Sequence, residues 1–126
     1  FGETAFDIGL IEMRNRHVEL NLWVQIGIAW VNGPIVGKMG RFEQNPMALT
    51  QAEKAVRHVY KRFNDELSAS DFVAGTDFSM ADISLWVAVD FASRMVALKP
   101  DADLTHLTAW FDRQGQRASI ARVARP

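Results

Sequence analysis

Cysteine is absent from the sequence. A chain without thiols forms no disulfides, performs no thiolate catalysis, and holds neither zinc nor an iron–sulfur cluster through cysteine. Long apolar runs are absent too, since no stretch approaches the roughly 18 consecutive apolar residues that suggest a membrane-spanning helix. From these absences we expect a cytoplasmic protein that does not insert into a membrane.

An excess of charge of either sign is also missing. The sequence has 14 Lys and Arg residues against 15 Asp and Glu residues, which gives a net charge of −1. Proteins that bind nucleic acid or anionic membranes usually carry a basic patch. The charge balance therefore supports neither partner. With 48% apolar and 23% charged residues, the 126-residue chain is typical of one soluble globular domain.

The sequence also lacks the pattern of a β-strand. No segment shows a sustained alternation of apolar and polar residues, whereas apolar residues recur at helical spacing along most of the chain. We therefore predict an all-α bundle of four main helices plus a short terminal turn. The main helices are predicted over residues 5–31, 51–67, 80–92 and 104–115.

Polar residues at helix-capping positions predict where three of these helices begin. Thr4 and Asp7 have the spacing of a capping pair ahead of the first helix. Thr50 and Glu53 predict a second capping box, ahead of the second helix. Asp103 is the predicted N-cap of the fourth helix.

The most specific motif is the segment Phe72-Val-Ala-Gly-Thr-Asp-Phe-Ser-Met-Ala-Asp82. Ser79 is its predicted N-cap, and the carboxylate of Asp82 is placed to accept a hydrogen bond from the backbone N–H of Ser79. Phe78 and Ile83 have the spacing of a hydrophobic staple across the same helix start. We therefore assign Ser79 and Asp82 a structural capping role.

The helix that follows this motif has almost no polar face. Met80, Ile83 and Val87 share one side of it, and Leu85 and Val89 lie on others. A helix that is apolar nearly all round is expected to be buried. Its first N–H groups would then need partners from the chain itself, because an unpaired buried N–H costs about 1–3 kcal/mol.

The segment 72–83 resembles the Gly-x-x-Phe-Ser-x-Ala-Asp element in the C-terminal domain of bacterial glutathione transferases. Residues 11–20 resemble the first helix of that domain, and residues 107–120 resemble its later Trp-aromatic-x-Arg helix. The resemblance covers nearly the whole chain and implies one glutathione transferase C-terminal-like helical domain over residues 1–126. The thioredoxin-like N-terminal domain of the family is then absent from this chain.

The resemblance implies a part in the conjugation of glutathione to small hydrophobic electrophiles, a detoxification reaction. In this family a Ser, Tyr or Cys of the N-terminal domain activates the sulfur of glutathione, so we expect no catalytic residue and no covalently bound cofactor in this chain. Glutathione would be the cosubstrate of a homodimeric parent protein. The helical domain would shape the electrophile pocket and part of the dimer interface, and the isolated chain would be inactive. The alternative is a non-catalytic helical module for protein–protein interaction.

The resemblance also points to one face of the first helix as the substrate site. The corresponding face lines the electrophile cleft in the family, which makes Met13, Arg14, His17 and Asn21 the candidate substrate-binding residues. The alternative interpretation is a solvated face with two incidental cations.

Other chemical motifs are weak. His17, His58 and His106 lie on three different predicted helices and lack the i,i+4 pairing of a helical zinc site, so we expect no metal site. The segment Gly33–Lys38 is one residue short of a phosphate-binding loop, and it lacks the following Ser or Thr that binds magnesium.

Two features of the predicted interior allow more than one interpretation. Asp90, inside the apolar helix, is expected to form an ion pair with Arg94 or Arg16 or to accept from a backbone donor, or else to act as an acceptor near the substrate cleft. Trp23 and Trp30 share one side of the first helix and are expected either in the core or at a dimer interface.

Overall fold

A computed structural model describes residues 1–123. These residues form helices and no strand, and no helix among them is long and apolar enough to cross a membrane. The elements are α1 (Ala5–His17), a π-helical segment (Val18–Trp23), α2 (Val24–Val31), α3 (Pro34–Gly37), α4 (Pro46–Leu67), α5 (Met80–Met95), α6 (Thr105–Gly115) and α7 (Ala118–Val123). The first three follow one another without a break and form the N-terminal helix. The predicted all-α fold is therefore confirmed, with four main helices and a short terminal one.

The N-terminal helix begins at a reciprocal capping box. The hydroxyl of Thr4 accepts from the backbone N–H of Asp7 at 3.1 Å, and the backbone N–H of Thr4 donates to the Asp7 carboxylate at 3.1 Å. Its middle is not regular α-helix, because the N–H of Val24 bonds to the carbonyl of Glu19, five residues back. Such π-helical turns are often found at functional sites. Here the turn directly follows His17, one of the predicted site residues.

The start of α4 differs from the prediction. Asn45 is the N-cap, with its side-chain oxygen accepting from the N–H of Ala48 at 3.1 Å, and Pro46 is the first helical residue. Thr50 lies inside the helix, where its hydroxyl donates to the carbonyl of Pro46 at 3.1 Å. The predicted capping box of Thr50 and Glu53 is therefore wrong, because a stronger start signal lies five residues earlier.

The cap of α6 comes from another helix. Leu104 precedes α6 and makes no side-chain capping bond, so the predicted Asp103 cap is wrong. The side-chain oxygen of Asn64, on α4, accepts instead from the N–H groups of His106 and Leu107 at 2.9 and 3.0 Å. This pair of bonds also fixes α6 against α4.

The core lies between α5, the N-terminal helix and α4. Its fully buried side chains include Val18, Leu22, Ile26, Val56, Phe63, Leu85 and Val89. The opposite side of α5 is open, since Met80, Ile83 and Val87 are 42%, 39% and 43% exposed. The prediction that α5 is buried all round is wrong for these three residues, which we call the exposed α5 stripe.

Asp82 joins three parts of the fold. One carboxylate oxygen accepts from the N–H of Ser79 at 3.0 Å, while the hydroxyl of Ser79 accepts from the N–H of Ala81 at 3.3 Å. The other oxygen accepts from the N–H of Val73 and from the indole N–H of Trp110, both at 3.0 Å. Burial raises the pKa of Asp82, and the hydrogen bonds from Val73 and Ser79 oppose that shift. The carboxylate thus holds the loop before α5, the start of α5 and α6 together.

Phe78, the residue before this cap, packs toward the loop and toward the short segment between α6 and α7. Its ring meets the ring of Phe72 edge to face, with 6.4 Å between centroids. The guanidinium of Arg117 lies 3.7 Å from the ring centroid on the Phe78 face, in cation–π geometry. These contacts position the loop that borders the cavities described below.

Candidate functional site

The four predicted substrate-binding residues lie on α1 and in the π-helical segment. Met13 is 55% exposed and Asn21 is also exposed, whereas Arg14 and His17 are half-buried. The two half-buried residues face the C-terminal part of α4, where they contact Glu66 and Phe63. Only part of the predicted face is therefore open to solvent.

Arg14 belongs to an ionic group that joins α1 to α4. Its Nη1 donates to Oε2 of Glu66 at 2.8 Å, and the Nε of Arg62 donates to Oε1 of the same carboxylate at 3.4 Å. The side chains of Arg14 and Glu66 are 27% and 26% exposed, so water only partly screens this pair. The Nε of Arg14 is buried and has no hydrogen-bond partner. The group has two guanidiniums to one carboxylate, and one of its N–H donors is unused.

His17 lies between Asn21 and the core residue Phe63. The side-chain amide nitrogen of Asn21 lies 2.7 Å from Nδ1 of the ring. The imidazole meets the ring of Phe63 edge to face, with 5.3 Å between centroids. Burial lowers the pKa of His17, the positive charges of Arg62 and Arg14 lower it further, and Glu66 acts against them.

Two neighbouring cavities border these residues. Arg14 lines a cavity of about 180 Å³ between α1, the end of α4 and residues 70–75. His17 and Asn21 line an open groove of about 370 Å³ between the N-terminal helix and α4, together with Gln25, Ala55, His58, Val59 and Arg62. Met13 lines neither. The predicted face thus contributes to two cavities and does not form one pocket.

Sequence reasoning missed the contribution of α4 to this region. Phe63 belongs to the apolar repeat of α4 and is typical of a core residue, as its full burial shows. Glu66 follows Arg62 at i+4, a spacing typical of a solvated ion pair. No signal in the sequence connects Glu66 with Arg14, which lies 52 positions away.

The remaining candidates have structural partners. Asp90 forms the expected ion pair with Arg94, whose Nε donates to it at 3.0 Å. The rings of Trp23 and Trp30 each lie 5.6 Å from the ring of Phe91, which favours the interpretation of both as packing residues within the chain. Within residues 1–123, no group of three or more His, Asp or Glu side chains is arranged to hold a metal ion.

The fold and its central capping box define a class of domain. The profile of the family described as "Glutathione S-transferase, C-terminal domain" matches residues 46–113, which is more than half of the chain and includes α4, α5 and most of α6. The chain belongs to this family.

Individual relatives agree with the assignment. Glutathione S-transferase 2 of Saccharomyces cerevisiae is 32% identical over 124 residues, which cover 97% of this chain and 52% of that protein. The crystal structure of Gtt2 from Saccharomyces cerevisiae superposes with a TM-score of 0.88 at 29% identity, covering 97% of this chain and 59% of the other. A glutathione S-transferase domain-containing protein of Marinobacter aquaeolei gives a TM-score of 0.80 at 25% identity, with 94% and 58% covered. The chain therefore spans a little more than half the length of these relatives.

Proposed function

We propose that this chain is the helical half of a glutathione transferase that conjugates glutathione to small hydrophobic electrophiles. The observation that carries the proposal is the match along 97% of the chain to a protein named glutathione S-transferase 2. That relative is about twice as long as the matched segment, since only 52% of it is covered. The rest of such a parent protein would be the thioredoxin-like N-terminal domain, which binds and activates glutathione.

Exposed apolar side chains support the proposal that a partner domain packs against this chain. The exposed α5 stripe is one such group of side chains. A groove of about 590 Å³ lies between the start of α1 and residues 74–79 and has a mixed lining, in which Phe6, 76% exposed, lies among polar residues such as Glu3 and Asp77. This groove reaches Ser79, the neighbour of Met80 in the stripe. Exposed apolar side chains such as those of the α5 stripe commonly mark interaction sites.

Met13, Arg14, His17 and Asn21 remain the proposed substrate-binding residues. Support comes from the two cavities that border three of them and from the exposed side chain of Asn21, a polar group in the groove that Val59 also lines. We further propose that the parent is a cytoplasmic homodimer acting in detoxification, in keeping with its family.

The test is a conjugation assay on the parent protein and on the 126-residue chain alone, with glutathione and 1-chloro-2,4-dinitrobenzene. The parent is expected to be active and the chain inactive. Conjugation by the chain alone would contradict the proposal. A folded parent that conjugates nothing would favour the alternative function, a non-catalytic interaction module.

Site variants extend this test. In the parent, His17→Ala and Asn21→Ala are expected to raise the KM for the electrophile and to leave the KM for glutathione unchanged. His106→Ala is the matched control, because His106 is an exposed histidine on α6 outside both cavities. Unchanged electrophile kinetics in both site variants would remove these two residues from the proposed site.

A further inference from the structure

The sequence contains one Asn-Gly pair, Asn32-Gly33, which lies where the N-terminal helix ends. Asn32 is half-buried and Gly33 is buried. In such a pair the backbone nitrogen of the glycine can attack the side-chain amide carbon of the asparagine, because the glycine has no Cβ to hinder the approach. The attack forms a five-membered succinimide and releases ammonia. Water then opens the ring to give aspartate or isoaspartate.

The fold requires both members of this pair. The Nδ2 of Asn32 donates to the carbonyl of Ile28 at 3.0 Å, at the C-terminal end of α2. Its Oδ1 accepts from the backbone N–H of Asn45 at 2.9 Å, and Asn45 is the N-cap of α4. A Cβ at Gly33 would lie 2.8 Å from the carbonyl oxygen of Ala29, so a larger residue requires a backbone shift. A chemically reactive pair therefore forms the junction between α2 and α4.

The folded conformation opposes the reaction. Ring closure needs the nitrogen of Gly33 nearly eclipsed with Cβ of Asn32, whereas the observed ψ of Asn32 is 4°, roughly a third of a turn away. The same nitrogen donates to the carbonyl of Trp30 at 3.2 Å. The side-chain amide is held on both sides by its bonds to Ile28 and Asn45. Attack therefore requires that the junction open first.

We propose that Asn32 is a site of spontaneous deamidation that the folded chain protects and that unfolding exposes. This inference concerns the chemistry of the chain itself and does not rest on the proposed function.

The product does not restore the junction. An ionised aspartate side chain only accepts hydrogen bonds, so it cannot donate to the carbonyl of Ile28. It also adds a negative charge at the C-terminal end of α2, where the helix dipole disfavours one. An isoaspartate adds a methylene to the backbone path next to the close contact between Gly33 and Ala29. Prolonged unfolding therefore leaves a permanent change that weakens the attachment of α2 to α4.

The test compares the rate of deamidation in the folded and the unfolded 126-residue chain. Samples are kept in the same mildly alkaline buffer with and without urea, and peptide mapping by mass spectrometry follows the conversion of amide to acid at Asn32. The rate is expected to be at least about tenfold lower in the folded chain, because the reaction there depends on the small population in which the junction is open.

Two other asparagines are internal controls in the same peptide map. Asn21 precedes Leu22, whose side chain hinders the attack, and Asn45 precedes Pro46, which has no N–H to lose. Both are expected to remain amides while Asn32 is converted in the unfolded chain.

A variant tests the consequence for the fold. Asn32→Asp reproduces one product and is expected to lower the urea midpoint of the chain, because the bond to Ile28 is lost. Gln51→Glu, an amide-to-acid change at an exposed position on α4, is the matched control and is expected to leave the midpoint unchanged. An Asn32→Asp chain that does not fold at all agrees with the proposal.

Three results would overturn the inference: equal rates of deamidation at Asn32 with and without urea, no conversion of Asn32 in the unfolded chain, or a wild-type urea midpoint for Asn32→Asp. The first two are measured on the unaltered sequence, so they decide the question whether or not the variant folds. None of them involves glutathione, so failure of this inference leaves the proposed function untouched, and an inactive parent protein leaves this inference untouched.

Discussion

Asp82 is the residue on which the start of α5 depends. It is fully buried, and its two oxygens serve backbone donors at Val73 and Ser79 together with the indole of Trp110. Asp82→Ala leaves these donors buried without an acceptor, so we expect the free energy of unfolding to fall by about 3–5 kcal/mol. Urea denaturation followed by circular dichroism measures the change.

Asp77→Ala is the control for this prediction. Asp77 is exposed and accepts only from the neighbouring Thr76 hydroxyl, at 3.1 Å, so its loss is expected to change stability by less than about 0.5 kcal/mol. If Asp82→Ala kept wild-type stability and the parent protein nevertheless lost activity, the structural role of Asp82 would be refuted in favour of a functional one.

His17 is expected to make stability depend on pH. Its folded-state pKa lies below the ordinary value of about 6.5, because burial and the charges of Arg62 and Arg14 disfavour the protonated ring. Below about pH 6.5 the unfolded chain therefore binds a proton that the folded chain does not, and stability is lost as the pH falls from there toward the folded pKa. Urea midpoints measured between about pH 7.5 and 5 should fall for the wild type and fall less for His17→Gln.

His106→Gln provides the comparison for this pH effect. His106 is exposed, and its bond to Asn64 is made by the backbone N–H, which the substitution retains. We expect its pH profile to follow that of the wild type. Equal profiles for His17→Gln and the wild type would show that His17 does not contribute to the pH dependence.

At the scale of the helix, the start of α4 tests which capping signal operates. Asn45→Ala removes the bond to the N–H of Ala48 and is expected to cost about 1 kcal/mol of stability. Thr50→Ala removes only a bond from its hydroxyl to a carbonyl within the helix, so we expect a change of less than about 0.5 kcal/mol in either direction. Thermal or urea unfolding of the two variants compares them directly, and a larger loss for Thr50→Ala would contradict the observed helix start.

The elements that the sequence predicted well are those with local causes. The caps at Thr4 and Ser79 lie within three residues of their partners, and the helical spacing of apolar residues in α4 depends on one side facing the core. The cap of α6 could not be predicted in the same way, because Asn64 reaches it from a helix about 42 residues earlier in the chain. The π-helical segment has no sequence signal either, since its residues are ordinary helix formers in a continuous helix.

At the scale of the whole molecule, the candidate site also depends on contacts between residues that are far apart in the sequence and could not be predicted from it. The resemblance selected the α1 face, but the pairing of Arg14 with Glu66 depends on how α1 and α4 pack and spans 52 positions. The exposed α5 stripe shows the reverse case. Its apolar residues predicted burial, but they are 39–43% exposed in this chain. Apolar periodicity alone does not distinguish burial within a chain from burial against another domain.

The stripe therefore yields a prediction that compares the chain with its parent. The double variant Ile83→Gln and Val87→Gln is expected to change the stability of the 126-residue chain by less than about 0.5 kcal/mol per site, because both side chains are partly exposed there. In the parent, where we propose that the N-terminal domain covers them, the same variant should lose about 1–2 kcal/mol of apolar burial. Thermal unfolding of both forms measures the difference.

Two further variants are controls for that comparison. Leu85→Ala, in the core, should destabilise the chain and the parent alike by about 2–5 kcal/mol. Met39→Gln, 58% exposed between α3 and α4, should affect neither. If the stripe variant behaves like Met39→Gln in both forms, the stripe faces solvent in the parent, and the N-terminal domain must dock elsewhere. If it destabilises the parent selectively, the apolar side of α5 is explained as an interface, which is why its helix carries almost no polar residues.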